Sequence, residues 1–223
     1  MINIFLSGGG NEEQTEMIDK EFVKTIDQNK SLLYIPIAMQ GEIPYEDCYK
    51  WIHSVFNPLG INEIEMWTDL EAESPEDLRK FSSIYIGGGN TFYLLNTLRE
   101  TGFDTILKEF VDNQGIVYGG SAGAIILGRD SLTASHMDSN DTNLKTFEGF
   151  NYIDSYSVWC HYETGHDDLI KEYVNKYGYS VIALPEETGM VMSEGGMKVI
   201  GSSPAYIFRN TDKYVVNPNG EIK

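Results

Sequence analysis

The chain has 223 residues, of which 41% are hydrophobic, which is enough for one folded domain with a sizeable core. Its formal net charge is -18, from 34 acidic and 16 basic side chains. This balance argues against nucleic acid and anionic membrane as partners, because both are bound through basic surfaces.

The sequence also predicts a cytoplasmic location. The N-terminus lacks the basic region and long apolar core of a signal peptide. No stretch approaches the roughly 20 apolar residues of a membrane span. Two isolated cysteines, Cys48 and Cys160, favour a reducing compartment over a disulfide framework.

In the first half of the chain, apolar runs alternate with helical patterns. Strands are predicted over residues 2–6, 31–37, 61–66 and 81–86. Helices are predicted over 12–29 with Asn11 as cap, from Pro44, from Ser74, and over 92–98 and 103–111. Two of the strands end in similar turns, Ser7-Gly8-Gly9-Gly10-Asn11 and Gly87-Gly88-Gly89-Asn90-Thr91.

The run Ile116–Leu127 predicts a buried strand, a sharp turn and a helix. Gly119, Ser121 and Gly123 fit the G-x-S-x-G pattern of a nucleophile elbow. Small neighbours allow a serine on such a strained turn, and the N–H of Ala122 would then stabilise an oxyanion. The alternative is a glycine-rich turn with an incidental serine.

The second half begins with a polar stretch over 129–149, which is typical of a lid or a site wall. Strands are predicted over 155–160 and 180–184, with a helix over 167–177 between them. The tail from Met190 to Lys223 predicts hairpins that complete one side of the sheet.

Strands that alternate with helices indicate one α/β domain, residues 1–223, with a mostly parallel sheet covered on both faces. Ligands bind such sheets at the carboxyl ends of the strands. The turns at 7–11, 87–91 and 119–123 should therefore open on one edge of the sheet.

A nucleophilic serine needs a base and an orienting acid. Of the four histidines, His161 follows a strand and so is expected to share the edge with Ser121. The other three are less suited to act as the base, because His53 lies within a predicted helix, His136 lies in the polar stretch and His166 lies near a helix start. The acid is left open among Asp138, Asp141, Glu186 and Glu187, and of these Glu186 directly follows a strand end.

Two other chemistries are less well supported. His161 and His166 lack the H-E-x-x-H spacing of a helical zinc site, so we expect no metal. The glycine turns lack the full G-x-G-x-x-G pattern and the lysine of a P-loop, so they indicate a nucleotide site only weakly, and we expect no cofactor. Gly88 and Gly89 fit better as backbone donors that face Ser121 and form the second half of an oxyanion hole.

The residues from about 84 to 190 resemble the dipeptidase E and cyanophycinase group of serine peptidases, family S51. The resemblance is carried by Ile86–Phe92, Gly120–Ala124, Trp159–Tyr162 and Leu184–Thr188, and by the order nucleophile, histidine, acid.

This resemblance implies a three-layer α/β/α sandwich like that of class I glutamine amidotransferases, related to the flavodoxin-like layout. It implies hydrolysis of a small peptide through an acyl-enzyme, without a cofactor. Ser121 would be the nucleophile, His161 the base and Glu186 the acid. Ala122 with Gly88 or Gly89 would hold the oxyanion, and Asn90 and Thr91 would shape the pocket.

Two alternatives remain at this point. The protein could hydrolyse another amide or a branched, cyanophycin-like peptide, or it could be an inactive binding protein on the same fold. An exposed edge strand near the C-terminal hairpins could also pair with a second copy of the chain.

Overall fold

The computed structural model of the protein describes residues 3–222. Within them, eight strands form a main sheet in the order β12-β9-β8-β1-β5-β4-β2-β3, and four form a smaller sheet in the order β11-β10-β7-β6. The strands are β1 (Asn3–Ser7), β2 (Ser31–Ile35), β3 (Ile64–Met66), β4 (Phe81–Ile86), β5 (Ile116–Gly120), β6 (Ser157–Trp159), β7 (Val181–Ala183), β8 (Thr188–Ser193), β9 (Gly196–Gly201), β10 (Ala205–Arg209), β11 (Asp212–Val216) and β12 (Glu221–Ile222).

The helices lie on both faces of the main sheet. They are α1 (Glu12–Thr25), α2 (Tyr45–Phe56), α3 (Thr91–Glu100), α4 (Phe103–Asp112), α5 (Ala122–Leu127) and α6 (Asp167–Tyr177). Alternate residues of the central strands face opposite ways, so Phe5 and Tyr118 pack with α1 and α2, whereas Leu6 and Val117 pack with α3, α4 and α5. This confirms the predicted α/β/α sandwich.

The pairing of the strands is parallel only in the middle of the main sheet. Strands β1, β5, β4, β2 and β3 run parallel, while β8, β9 and β12 pair antiparallel at one side. The turns that follow β1, β4 and β5 therefore lie at one edge of the sheet, as the alternating pattern predicted.

The prediction for the C-terminal tail is right for one hairpin and wrong for the other. Strands β8 and β9 extend the main sheet, but β10 pairs with β7 in the smaller sheet, and β11 pairs with β10. One face of that sheet packs into the main core through Ile182 and Ile207, and the other packs against α6 through Val181 and Phe208. Such pairings depend on long-range packing, which a hairpin pattern does not contain.

The predicted element bounds also shift at several ends. Of the strand predicted over 2–6, Ile2 lies outside the described residues, as does Lys223 at the end of the predicted tail. The first helix ends at Thr25 rather than 29, because Ile26 has an extended backbone and Asp27 then accepts the N–H of Asn29 in a turn.

Among residues 3–222, none of the helices has both the length and the apolar character that a membrane span requires.

Candidate active site

Ser121 occupies a sharp turn between β5 and α5. Its backbone has φ 48° and ψ −108°, a conformation that costs energy for a residue with a side chain. A Cβ on Gly119 would lie 2.5 Å from the backbone of Gly123, and one on Gly123 would lie 2.3 Å from the carbonyl oxygen of Ile86. Only glycine therefore fits at these two positions. The strand, turn and helix predicted from the G-x-S-x-G pattern are present as β5, the turn at Ser121 and α5.

The structure brings Ser121, His161 and Glu186 into one hydrogen-bonded chain. Ser121 Oγ lies 2.8 Å from His161 Nε2, and His161 Nδ1 lies 2.9 Å from Glu186 Oε1. These side chains come from three different segments: Ser121 follows β5, His161 follows β6 and Glu186 follows β7. The arrangement has the order and distances of a serine, a base and an orienting acid.

The turn after β1 holds both the serine and the histidine. The N–H of Ser121 donates to the Ser7 carbonyl at 3.1 Å, and the N–H of His161 donates to the Gly8 carbonyl at 2.8 Å. His161 itself has a left-handed backbone, with φ 50°. Gly9, with φ 113°, lies so close that a Cβ there would be 2.2 Å from His161 Cε1. The position of the imidazole ring therefore depends on this glycine.

Glu186 is the acid that contacts His161. It also accepts a hydrogen bond of 2.9 Å from Gln14 Nε2. The hydrogen bonds from His161 and Gln14 hold the pKa of the Glu186 carboxyl below its ordinary value, so this group stays ionised in mildly acidic solution.

The other acidic candidates have different partners. Glu187 lies 3.5 Å from Gln14 Nε2, Asp138 accepts the N–H of Thr91 at 2.8 Å, and Asp141 accepts the hydroxyl of Ser139. None of these three carboxylates is hydrogen-bonded to His161 in the described part of the chain.

The remaining histidines lie in other contacts. His53 bonds Asn57 within α2 and its following turn. His136 stacks on Trp159 at a centroid distance of 4.1 Å, and burial lowers the pKa of its ring. His166 Nδ1 accepts a hydrogen bond from Trp159 Nε1. Among the described histidines, His161 is the one within hydrogen-bond distance of Ser121 Oγ.

The residues expected to hold an oxyanion surround Ser121. Ala122 is the first residue of α5, so its N–H lies at a helix N-terminus, where the helix itself supplies no acceptor. Gly88 is adjacent to the serine, since a Cβ there would lie 3.1 Å from Ser121 Cβ. Gly89, with φ 122°, lines two cavities beside Ser121, and a Cβ there would lie 2.2 Å from the Ala38 carbonyl oxygen.

Asn90 and Thr91 are parts of the scaffold beside the site. Asn90 caps α3 by accepting the N–H of Tyr93, and its amide group donates to the Ser139 carbonyl at 2.9 Å. Thr91 is bonded through its N–H to Asp138. These contacts fasten the stretch over 129–149, which was predicted to form a lid or wall, to the start of α3.

Two cavities meet at Ser121 and His161. The first, called the apolar cavity here, has a volume of about 410 Å³, and its wall includes the side chains of Tyr34, Met39, Ile43, Cys48, Trp51 and Tyr85. The second, called the polar groove, has a volume of about 520 Å³ and is lined in part by Glu42, Asn90, Thr91, Asp138 and Ser139.

Three parts of this site were missed by the sequence analysis. Gln14 is the third residue of α1, where its side chain completes a capping box with Asn11. That spacing signals a helix start, but nothing in it points to Glu186. The contact of Gly9 with His161 and the assembly of the apolar cavity likewise depend on distant segments.

Cys160 lies next to His161 in the sequence but does not have the environment of a reactive thiol. It is fully buried beneath the elbow, and its Sγ lies 3.4 Å from the Ser121 carbonyl oxygen. Burial raises the pKa of this thiol far above its ordinary value, so it remains protonated. Within residues 3–222, no group of three or more His, Cys, Asp or Glu side chains is placed to hold a metal ion.

Comparison with known proteins gives a consistent assignment. The model of a family described as peptidase family S51 matches residues 4–200. A protein of Shewanella denitrificans named peptidase E is 29% identical over 204 residues, covering 87% of this chain and 85% of its own. A Drosophila melanogaster protein named "probable alpha-aspartyl dipeptidase" is 27% identical over 192 residues, covering 81% of this chain and 76% of its own.

A solved structure agrees in fold. The crystal structure of a peptidase from an acI-B1 Actinobacterium superposes with a TM-score of 0.77 at 22% sequence identity. The match covers all of this chain and 97% of the other. At this level of identity the likeness bears on the fold alone.

Proposed function

The chain belongs to peptidase family S51 and is a serine peptidase, and from this premise we propose that it hydrolyses short peptides through an acyl-enzyme on Ser121. The observation that carries the proposal is the unbroken chain of hydrogen-bond distances from Ser121 through His161 to Glu186. The names of its relatives, peptidase E and alpha-aspartyl dipeptidase, favour a substrate of two or a few residues.

In the first half of the reaction, Ser121 Oγ attacks the carbonyl carbon of the scissile peptide bond while His161 Nε2 takes the hydroxyl proton. The carbonyl oxygen becomes an oxyanion, and the N–H groups of Ala122 and Gly88 stabilise it. His161 then gives its proton to the leaving nitrogen as the C–N bond breaks. The products of this half are a free amine and an ester on Ser121.

In the second half, water replaces the amine. His161 Nε2 takes a proton from the water as its oxygen attacks the ester carbon, and returns it to Ser121 Oγ as the C–O bond breaks. Glu186 accepts the Nδ1 proton of His161 in a hydrogen bond throughout, which fixes the tautomer and stabilises the imidazolium. The released product is a carboxylic acid, and no cofactor takes part in these steps.

The test is hydrolysis of a panel of dipeptides by the wild-type protein and by Ser121→Ala. We expect turnover of at least one dipeptide by the wild type and a loss on the order of 10⁵-fold in the variant. Labelling of Ser121 by a fluorophosphonate provides a second readout that does not depend on the choice of peptide.

The outcomes separate the alternatives. Labelling without turnover of any short peptide would contradict the proposed substrate class and favour hydrolysis of another amide or of a branched peptide. Neither labelling nor turnover would contradict the proposed mechanism and favour a binding protein that retains the peptidase fold.

A further inference from the structure

We propose that the apolar cavity receives a large, uncharged apolar or aromatic side chain of the substrate, and that an acidic side chain is disfavoured there. The side chain belongs to the residue that supplies the scissile carbonyl. This inference rests on the proposed function, because it concerns the peptide that Ser121 would cleave.

The wall of the apolar cavity is aromatic and largely buried. Tyr34 and Tyr85 are 2% and 5% exposed, and their ring centroids lie 5.7 Å apart in an edge-to-face arrangement. Trp51 lies 6.0 Å from Tyr85, also edge to face, and Met39 adds a flexible thioether to the wall. A substrate ring or branched aliphatic chain would leave water for a surface of matching polarity.

The charges around the site oppose an acidic side chain. Among the described residues that line the apolar cavity or the polar groove, none is a lysine or an arginine. Carboxylates are present in both, with Asp47 in the apolar cavity and Glu42 and Asp138 in the polar groove. An aspartate or glutamate side chain entering the apolar cavity would lose its hydration without gaining a cationic partner, which is costly.

The position of the two cavities assigns them to the two sides of the scissile bond. The apolar cavity includes Gly88 and Gly120, which flank Ser121, so it is within reach of a group bonded to the carbonyl carbon. The polar groove is bordered by the exposed side chain of Met137. The leaving amine must depart into water after taking its proton from His161, and the polar groove offers that route.

A series of dipeptides with a constant second residue tests the preference. The wild-type protein is given Phe-Leu, Tyr-Leu, Leu-Leu, Asp-Leu and Glu-Leu, and Ser121→Ala gives the background for each. We expect kcat/KM for the first three to exceed that for Asp-Leu and Glu-Leu by about tenfold or more, as for other pockets that exclude a charge.

A charge variant with a matched control tests the cavity directly. Ile43 is 45% exposed and borders both cavities, so Ile43→Arg brings a cation to the site without opening the core. We expect this variant to shift the Asp-Leu to Phe-Leu ratio of kcat/KM upward by about tenfold. Met17→Arg makes the same change of charge at a site 49% exposed on α1, which borders neither cavity, and should leave the ratio within about twofold.

Each outcome decides between the two proposals. Equal or faster Ser121-dependent cleavage of Asp-Leu by the wild type would overturn the proposed side-chain preference and leave the proposed peptidase mechanism intact. An unchanged ratio in Ile43→Arg would also overturn the preference. Absence of Ser121-dependent hydrolysis of any of the five dipeptides would overturn the preference, and labelling of Ser121 by a fluorophosphonate would then report separately on the proposed mechanism.

Discussion

At the scale of single residues, two adjacent glutamates have different contacts. The Glu186 carboxylate bonds His161 and Gln14, while the Glu187 carboxylate lies 3.5 Å from the amide of Gln14 and makes no hydrogen bond to His161 within residues 3–222. A substitution of Glu187 is therefore a matched control for the same substitution of Glu186.

We predict that Glu186→Gln lowers kcat by about 10²–10⁴-fold, because an amide at this position can favour the wrong tautomer of His161 and cannot stabilise the imidazolium. Glu187→Gln should change kcat less than about threefold, since that side chain does not contact the histidine. Steady-state kinetics on one dipeptide compare the two variants. A larger loss in Glu187→Gln than in Glu186→Gln would contradict the assignment of the acid.

Gln14 links the start of α1 to Glu186. Its side-chain oxygen accepts the N–H of Asn11, and its side-chain nitrogen donates to Glu186. The same helix start is also capped by Asn11, whose side chain accepts the N–H groups of Glu13 and Gln14 but does not contact Glu186.

We predict that Gln14→Ala lowers kcat by about three- to tenfold with little change in KM, because the hydrogen bond to Glu186 is lost while both cavities keep their walls. Asn11→Ala should destabilise the fold by about 1 kcal/mol through the lost helix cap and leave kcat unchanged. Kinetics and urea denaturation of both variants measure the two effects. Equal losses of kcat in both would mean that Gln14 acts only through the helix.

At the scale of the elements, the turn between β1 and α1 sets the place of the imidazole. A Cβ on Gly9 would lie 2.2 Å from Cε1 of the His161 ring. Because the ring is part of a side chain, it would move away from an added methyl group. Gly178, at the end of α6, also has a positive φ, of 73°, but a Cβ there would meet nothing within 4 Å. A substitution at Gly9 would therefore combine backbone strain with a clash against His161, whereas one at Gly178 would cause backbone strain alone.

We predict that Gly9→Ala lowers kcat by about 100-fold or more, because the new methyl group displaces His161 from Ser121. Its loss of stability should be about 1–3 kcal/mol, from the positive φ. Gly178→Ala should also lose about 1 kcal/mol but keep its activity. Wild-type activity in a folded Gly9→Ala protein would show that the ring position tolerates the methyl group.

At the scale of the whole molecule, a buried acid joins a helix layer to the main sheet. Asp19 of α1 is 1% exposed and accepts hydrogen bonds from Tyr118 of β5 and from Thr15, both at 2.7 Å. Burial raises the pKa of Asp19 to about 6, although the two hydrogen bonds oppose this shift. Because the folded state holds this proton more tightly than the unfolded chain, the contribution of Asp19 to stability falls as pH rises from about 4 to about 6.

We predict that Asp19→Asn gains stability relative to the wild type as pH rises through this window, by up to about 3 kcal/mol. Above pH 6 the difference should be constant. Urea denaturation at several pH values between 4 and 7 measures it. Tyr118→Phe removes a hydrogen bond that lowers the pKa of Asp19, so in this variant the loss of stability should continue to higher pH than in the wild type. A difference between Asp19→Asn and the wild type that does not vary with pH would contradict the raised pKa of Asp19.

The sequence allows the fold class and the central site residues to be predicted for a physical reason. Ser121 follows a parallel strand of the main sheet, and His161 and Glu186 follow the two parallel strands of the smaller sheet, so all three lie past the carboxyl end of a strand. The sequence pattern indicated these strand ends but not that they belong to two sheets. Gln14 could not be found this way, because its link to Glu186 spans 172 positions and leaves no periodic pattern. Nor could the separate sheet of β10 and β11, since pairing with β7 is decided by how the two faces pack.

The site spans two sheets, and this has a consequence for the synthesis of the chain. Ser121 lies on the main sheet, whereas His161 and Glu186 follow strands of the smaller one. A ribosome makes the chain from its N-terminus, so the serine leaves the exit tunnel long before its two partners. A nascent chain that ends before residue 186 carries the proposed nucleophile without the complete set of groups proposed to activate it. Half-made copies of this peptidase should therefore be inert towards the peptides around them.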